Sequence, residues 1–152
     1  MSKNTEFAQI NQKIKDYIPL AGHMDIQVQL SDRVSVELFL PIEPNRNHMG
    51  SVFGGSLHIA CVLSCWSLLE ELYKQEGLKT NYTVIQKSEM DYKLPVRENF
   101  IAKSTYLSPE DLDRFLQNLK KKKRARVSLR SEIQLKDKVC ATFVGAFVAE
   151  LA

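Results

Sequence analysis

The stretch Asn45-Arg46-Asn47-His48-Met49-Gly50-Ser51-Val52-Phe53-Gly54-Gly55-Ser56 decides how the chain is read, because it runs directly into an apolar segment, Leu57 to Leu72. A polar, glycine-rich turn that empties into a buried helix aims backbone N–H groups at negative charge in a dry place. The first N–H groups of a helix have no intrahelical partner, and the helix dipole adds about half a positive charge there. Gly54 and Gly55 carry no Cβ, so a ligand can approach the backbone closely. Such a device suits an oxyanion, a phosphate or a polarised carbonyl.

Working outward, Gly55 to about Tyr73 reads as a helix roughly 28 Å long at 1.5 Å per residue. Leu57, Ile59, Ala60, Cys61, Val62, Leu63, Cys65, Trp66, Leu68 and Leu69 make it apolar nearly all round. A surface helix has one apolar face, so strands must wrap this one. Glu70, Glu71, Lys74 and Gln75 mark where it emerges, and Gly77 is placed as its C-terminal cap.

The flanking segments supply the wrapping. Asn4 to Tyr17 is helical by the recurrence of Phe7, Ile10, Ile14 and Tyr17, with Asn4 or Thr5 as cap and Pro19 just beyond. Ile26, Val28 and Leu30, then Val34, Val36, Leu38 and Leu40, alternate with polar residues around Ser31-Asp32-Arg33, which predicts a hairpin. Tyr82 to Met90 and Phe100 to Tyr106 are strand-like. Ser108-Pro109-Glu110-Asp111 opens a short helix running to about Leu119, a lid or an insertion, with Ser108 as cap and Pro109 at the first position. Val127, Leu129, Ser131, Ile133 and Leu135 face one way in a further strand, and Val139 to Val148 reads as a central strand. The order predicts α+β with a mainly antiparallel sheet and no repeat or linker in 152 residues, so one domain, 1–152, with 1–20 as a helical extension.

Composition excludes several classes. The net charge of +3 is weak, and much of the excess sits in Lys120, Lys121, Lys122, Lys123, Arg124 and Arg126. That tract is either a solvated turn or an anchor for ligand phosphates or an acidic carrier protein. No basic stripe or motif points to nucleic acid. Cys61, Cys65 and Cys140 are odd in number and off zinc spacing, so no metal is expected; they read as small core residues of a reducing compartment. Met1 to Asp16 is too polar for a signal peptide. The Leu57–Leu69 run is shorter than the roughly 20 residues of a bilayer span. A cytoplasmic protein without membrane contact is expected.

Four stretches carry a family resemblance: Asn47 to Leu57, Asp91-Tyr92-Lys93-Leu94-Pro95-Val96, Arg126-Val127-Ser128-Leu129, and Phe143 to Val148. In this order and spacing the chain, from about Ile26 to Leu151, resembles hotdog-fold thioesterases of the type also found fused C-terminal to a GNAT acetyltransferase domain. The resemblance implies a sheet wrapped around one central helix and a homodimer or tetramer. It implies acyl-CoA or acyl-carrier-protein thioesters bound where protomers meet, with CoA or phosphopantetheine as part of the substrate and no separate cofactor. It implies that the N–H of Gly55 polarises the thioester carbonyl, beside Phe53, Gly54 and Ser56. Many such enzymes carry an Asp or Glu about two turns into the helix. Here Cys61-Val62-Leu63-Ser64 stands there, and the first acid is Glu70.

The carboxylate mechanism therefore does not transfer. Asn47, His48, Ser64 and a partner protomer's Asp91 remain as groups to orient water, and Lys122 and Arg124 as groups to hold phosphates. Each also has a structural reading: Asn47 as a turn residue, His48 as a backbone binder, Ser64 bonded to the carbonyl four residues back, Asp91 as a strand end. His58 reads as a satisfied core histidine. Three functions follow: thioester hydrolase in fatty acid metabolism, non-catalytic acyl-thioester-binding module serving an acyltransferase, and, less well supported, a dehydratase.

Overall fold

The computed structural model describes residues 2–152. One antiparallel sheet of six strands, in the order β1-β2-β4-β5-β6-β3, curls around a single long helix. The strands are β1 (Gln27–Ser31), β2 (Ser35–Leu40), β3 (Thr80–Tyr92), β4 (Phe100–Tyr106), β5 (Arg124–Leu135) and β6 (Lys138–Leu151). The helices are α1 (Lys3–Tyr17), α2 (Pro19–His23), α3 (Gly54–Glu76) and α4 (Pro109–Lys122). This is the hotdog architecture expected from the sequence.

The core lies between α3 and the concave face of the sheet. Ala60, Cys61, Cys65, Leu68, Leu69 and Leu72 are wholly buried against Val36, Leu38, Ala102, Leu129, Ile133 and Phe143. Three serines stitch the layers together. The Ser64 hydroxyl donates to the Cys61 carbonyl oxygen at 2.9 Å and lies 2.8 Å from Ser131 Oγ. The Ser104 hydroxyl donates to the Ser64 carbonyl oxygen at 2.8 Å. Buried hydroxyls need such partners, and here they pin α3 to β4 and β5.

Local departures from the sequence reading have physical causes. The cap of α1 is Ser2, whose hydroxyl accepts from the Thr5 N–H, not Asn4 or Thr5. Pro19 lies just past the end of α1, as expected, and also opens the short helix α2, as suits a proline at a first helical position. A register shift between Val28 and Leu30 breaks the alternation of β1, so Leu30 turns outward. Helix α3 runs three residues past Tyr73 and closes at Gly77, in the left-handed region at φ 63°. Glu71, read as a point of emergence, is buried and accepts from Gln75 Nε2 at 2.7 Å. Ser108 caps α4 as expected, accepting from the Asp111 N–H, and Leu112, Phe115, Leu116 and Leu119 lay α4 onto β5.

The two edges of the sheet differ. At β1 the Val28 N–H is taken by the Asn11 carboxamide oxygen of α1 at 2.7 Å. At the other edge β3 pairs only with β6, and its outer rim has no neighbour among the described residues. Val84, Ile85 and Tyr92 on that strand are exposed.

Candidate functional site

The glycine turn is a small hairpin held by Asn47. Its backbone N–H bonds the Ser51 carbonyl at 2.7 Å, and its side-chain oxygen accepts from the Met49 and Ser51 N–H groups. Its Nδ2 donates to Ser51 Oγ at 3.0 Å. Asn45 is buried and donates through Nδ2 to the carbonyls of Met24 and Pro41. The Phe53 N–H reaches the Asn45 carbonyl at 2.8 Å and the Val52 N–H the Val96 carbonyl at 2.7 Å. The chain is thus clamped on both sides until Phe53, where it turns into α3.

There the clamping stops. Phe53 is the N-cap of α3 and supplies no side-chain cap bond. Leu57 is the first residue whose N–H finds a carbonyl, that of Phe53 at 3.2 Å. Among the described residues, the N–H groups of Gly54, Gly55 and Ser56 have no protein acceptor. Two rings flank them. Tyr92 donates its hydroxyl to the Gly54 carbonyl at 3.3 Å and covers that glycine's Cα side. The half-exposed Phe53 ring lies against Gly55, where an added Cβ would stand 2.4 Å from a ring carbon. Both rings lie within van der Waals reach of where a side chain would project from the glycines. Gly54 and Gly55 keep partial exposure.

The other sequence candidates fall in different places. His48 is exposed on the turn, and no protein group hydrogen-bonds its ring among the described residues. Asn47 faces its own turn, so its carboxamide is already engaged in holding the loop. Ser64 is sealed between α3, β4 and β5 with no exposure, which removes it from contact with any substrate. Its acceptor lies three residues back, not four. Asp91 follows Met90 and precedes Tyr92 on β3; because Tyr92 reaches α3, alternation turns Asp91 to the outer face, beside Thr142. Lys122 and Arg124 stand at the opposite end of α3, where Lys120 of the same tract pairs with Glu76. Helix α3 spans about 34 Å at 1.5 Å per residue, so within one protomer they are remote from Gly55.

His58, one turn into α3, is partly buried and satisfied, as the sequence suggested: its Nε2 lies 3.1 Å from Ser88 Oγ on β3, a partner the sequence did not single out. The face of α3 toward the sheet is closely packed with buried side chains. A groove of about 1090 Å³ opens between α3 and edge strand β3, lined by Val62, Trp66, Tyr17, Val84, Ile85 and Leu78. Lys13, Glu70, Lys74 and Lys79 stand at its rim. The three thiols are free and buried, and burial pushes Cys61 up to about 12 and raises Cys65 as well. Among the described residues no cluster of His, Cys, Asp and Glu is suited to a metal ion, and no helix is long and apolar enough to cross a membrane.

Comparisons with known proteins agree with this geometry. Residues 7–151 match the family model described as "Putative thioesterase (yiiD_Cterm)". No curated protein matches the chain. Among solved structures, a protein of unknown function from Chlorobaculum tepidum TLS is 26% identical, with a TM-score of 0.87 over 97% of this chain and 95% of that one. A "putative thioesterase" from Shewanella oneidensis is 20% identical, with a TM-score of 0.82 over 97% and 99% of the two chains. A "probable thioesterase" from Pseudomonas aeruginosa is 15% identical, with a TM-score of 0.80 over 95% of each chain. The family model covers nearly the whole chain, and the chain belongs to this thioesterase family.

Proposed function

From that membership and from the open amides of α3, we propose that the protein hydrolyses acyl thioesters carried on CoA or on an acyl-carrier protein. The single observation that carries the reading is the row of unpartnered N–H groups at Gly54, Gly55 and Ser56 at the head of a buried helix. A thioester carbonyl oxygen set against the Gly55 N–H meets a donor and the positive helix end together. The acyl chain then lies along Val62, Trp66 and Ile85 in the groove between α3 and β3. His48, exposed beside the turn, and Asn47, through the loop it holds, position the thioester.

The working unit in this proposal is a homodimer joined at β3. A long strand with one bare, partly apolar rim is a template for another strand, while the β1 edge is already closed by Asn11. Identical strands related by a twofold axis pair antiparallel. That pairing sets the Thr80 end of one protomer, with its neighbouring basic tract, beside the Tyr92 end of the other. Lys122 and Arg124 then serve the partner's site, not their own, and meet nucleotide or carrier phosphates there.

The test is steady-state release of thiol from acetyl- to palmitoyl-CoA and from matching acyl-carrier-protein thioesters. Saturable turnover of at least one member is expected. Binding by calorimetry without turnover selects the second reading, an acyl-thioester-binding module serving an acyltransferase, which the absence of an acid in α3 before Glu70 favours. Neither binding nor turnover rejects both.

A further inference from the structure

We propose that His58 is the general base of this site and that Ser88 fixes the tautomer in which it acts. The inference rests on the hydrolase reading and names the proton acceptor that the missing helix carboxylate leaves vacant.

Position is the first argument. His58 follows Gly54 by four residues, so the two share one face of α3 a single turn apart. The same face continues through Val62 and Trp66, which line the groove assigned to the acyl chain. The imidazole therefore stands between the open amides and the apolar groove, where a thioester bridging the two places its carbonyl carbon. The ring is only partly buried, at the sheet's open edge.

Orientation is the second. Ser88 Oγ lies 3.1 Å from Nε2, and Phe143 meets the ring edge-to-face, with centroids 5.5 Å apart at 71°. Two elements, β3 and β6, thus fix both the ring plane and one nitrogen. With Ser88 Oγ accepting the Nε2–H, the lone pair is left on Nδ1, which has no protein partner among the described residues. A base held by a third group in this way follows the logic of catalytic triads without needing a carboxylate.

The step balances within these groups. Nδ1 takes one proton from a water as its oxygen bonds to the thioester carbonyl carbon, and the carbonyl electron pair moves onto oxygen at the Gly55 N–H. Collapse re-forms the carbonyl and breaks the C–S bond. The departing thiolate takes the proton from Nδ1, leaving a carboxylic acid, a thiol and neutral His58. No oxidant or co-reactant is required.

The experiment uses the intact protein with the acyl-CoA it turns over best. His58→Gln is expected to lower kcat by at least ~100-fold, the usual scale of general acid–base catalysis, with KM changed less than about threefold. Ser88→Ala is expected to lower kcat about tenfold, again at nearly constant KM, and Ser88→Thr, which keeps the hydroxyl, to restore it. If His58→Gln melts early, His58→Ala titrated with free imidazole reads the same group, and recovery of kcat supports the proposal. Turnover of folded His58→Gln within threefold of the native protein overturns it, as does an acyl group trapped on Ser88 and seen by mass spectrometry. In either case the hydrolase reading stands. If the native protein turns over no member of the panel, the hydrolase reading itself fails and this inference with it.

Discussion

The two ends of α3 are built on opposite rules. At the C-terminal end the chain turns back and bonds its own last turn. Gly77 sits at φ 63°, its N–H returns to the Lys74 carbonyl, and the Leu78 N–H reaches the Tyr73 carbonyl at 2.9 Å. Glu76 joins Arg33 of the β1–β2 turn to Lys120 of α4, and Lys74 pairs with Glu6 of α1. At the N-terminal end the chain is clamped up to Phe53, and then three N–H groups are left without protein acceptors. Helices close their ends wherever local chemistry permits. A helix capped by its own chain at one end, and left uncapped at the other beside two glycines and a histidine, is the contrast on which the proposed thioester site rests.

Substitutions at the two ends should then separate activity from stability. The largest effect is expected from Gly55→Pro, which deletes the N–H assigned to the thioester oxygen. Loss of one such donor lowers kcat about 10²–10³-fold, or roughly 3–4 kcal/mol of transition-state stabilisation. Gly54→Pro is the fold control: proline suits a first helical position, and Phe53 already lies at φ −59°, ψ 133°, the region preferred before proline. Its melting temperature should match the native protein's within a few degrees, with less than about tenfold loss of kcat. A Gly55→Pro enzyme with native kcat breaks the comparison at once.

At the other end, Gly77→Ala forces an L side chain into the left-handed region and should cost about 1–2 kcal/mol by chemical denaturation, with kcat unchanged. Charge reversal at Lys122 and Arg124 together sharpens the dimer geometry. The KM for acyl-CoA should rise several-fold while that for an acyl thioester of N-acetylcysteamine, which lacks the nucleotide, stays constant. A rise in both is the contrary result, since it means the tract supports the fold and not the phosphates.

The smallest effect belongs to Glu76→Gln. Hydrogen bonds from Lys120 and then Arg33 hold the Glu76 carboxyl below its ordinary value. A lowered folded value means that the carboxylate stabilises the fold at neutral pH, and that this contribution fades as pH falls through the lowered value. For ion pairs near the surface the difference is about 0–1 kcal/mol. It should appear as a native-minus-variant gap in melting temperature at pH 7 that closes in acid. A gap that widens in acid contradicts the assignment.

How much of this was legible in the residues depends on range. Helix α3 was readable because apolar residues surround it and Gly77 ends it. Strands β5 and β6 were readable because alternation in one and continuous apolarity in the other leave little choice. The bulge that turns Leu30 outward was not, since nothing local in Val28-Gln29-Leu30 signals an extra residue. Glu71 misled because its partner, Gln75, looks like any solvent-facing residue until the helix is placed. Within the site, the glycine turn was visible, and for Asn47 and Ser64 the structural reading is the one the fold realises. Asn47 turned out to hold its own loop, Ser64 to lock the core, and Asp91 to face outward, because a strand's facing depends on which neighbour it meets. The pairing of His58 with Ser88 joins positions 30 residues apart across the α3–β3 layer. Only the four-residue step from Gly54 to His58 was available in advance.

The most direct measurement is a crystal structure with a non-hydrolysable acyl-CoA analogue in which the thioester sulfur is replaced by methylene. The analogue's carbonyl oxygen should lie about 2.7–3.1 Å from the Gly55 nitrogen, at a junction of two protomers, with its acyl chain between Val62 and Ile85. An oxygen bound elsewhere, with the N–H groups of Gly54, Gly55 and Ser56 still lacking an acceptor, contradicts the account.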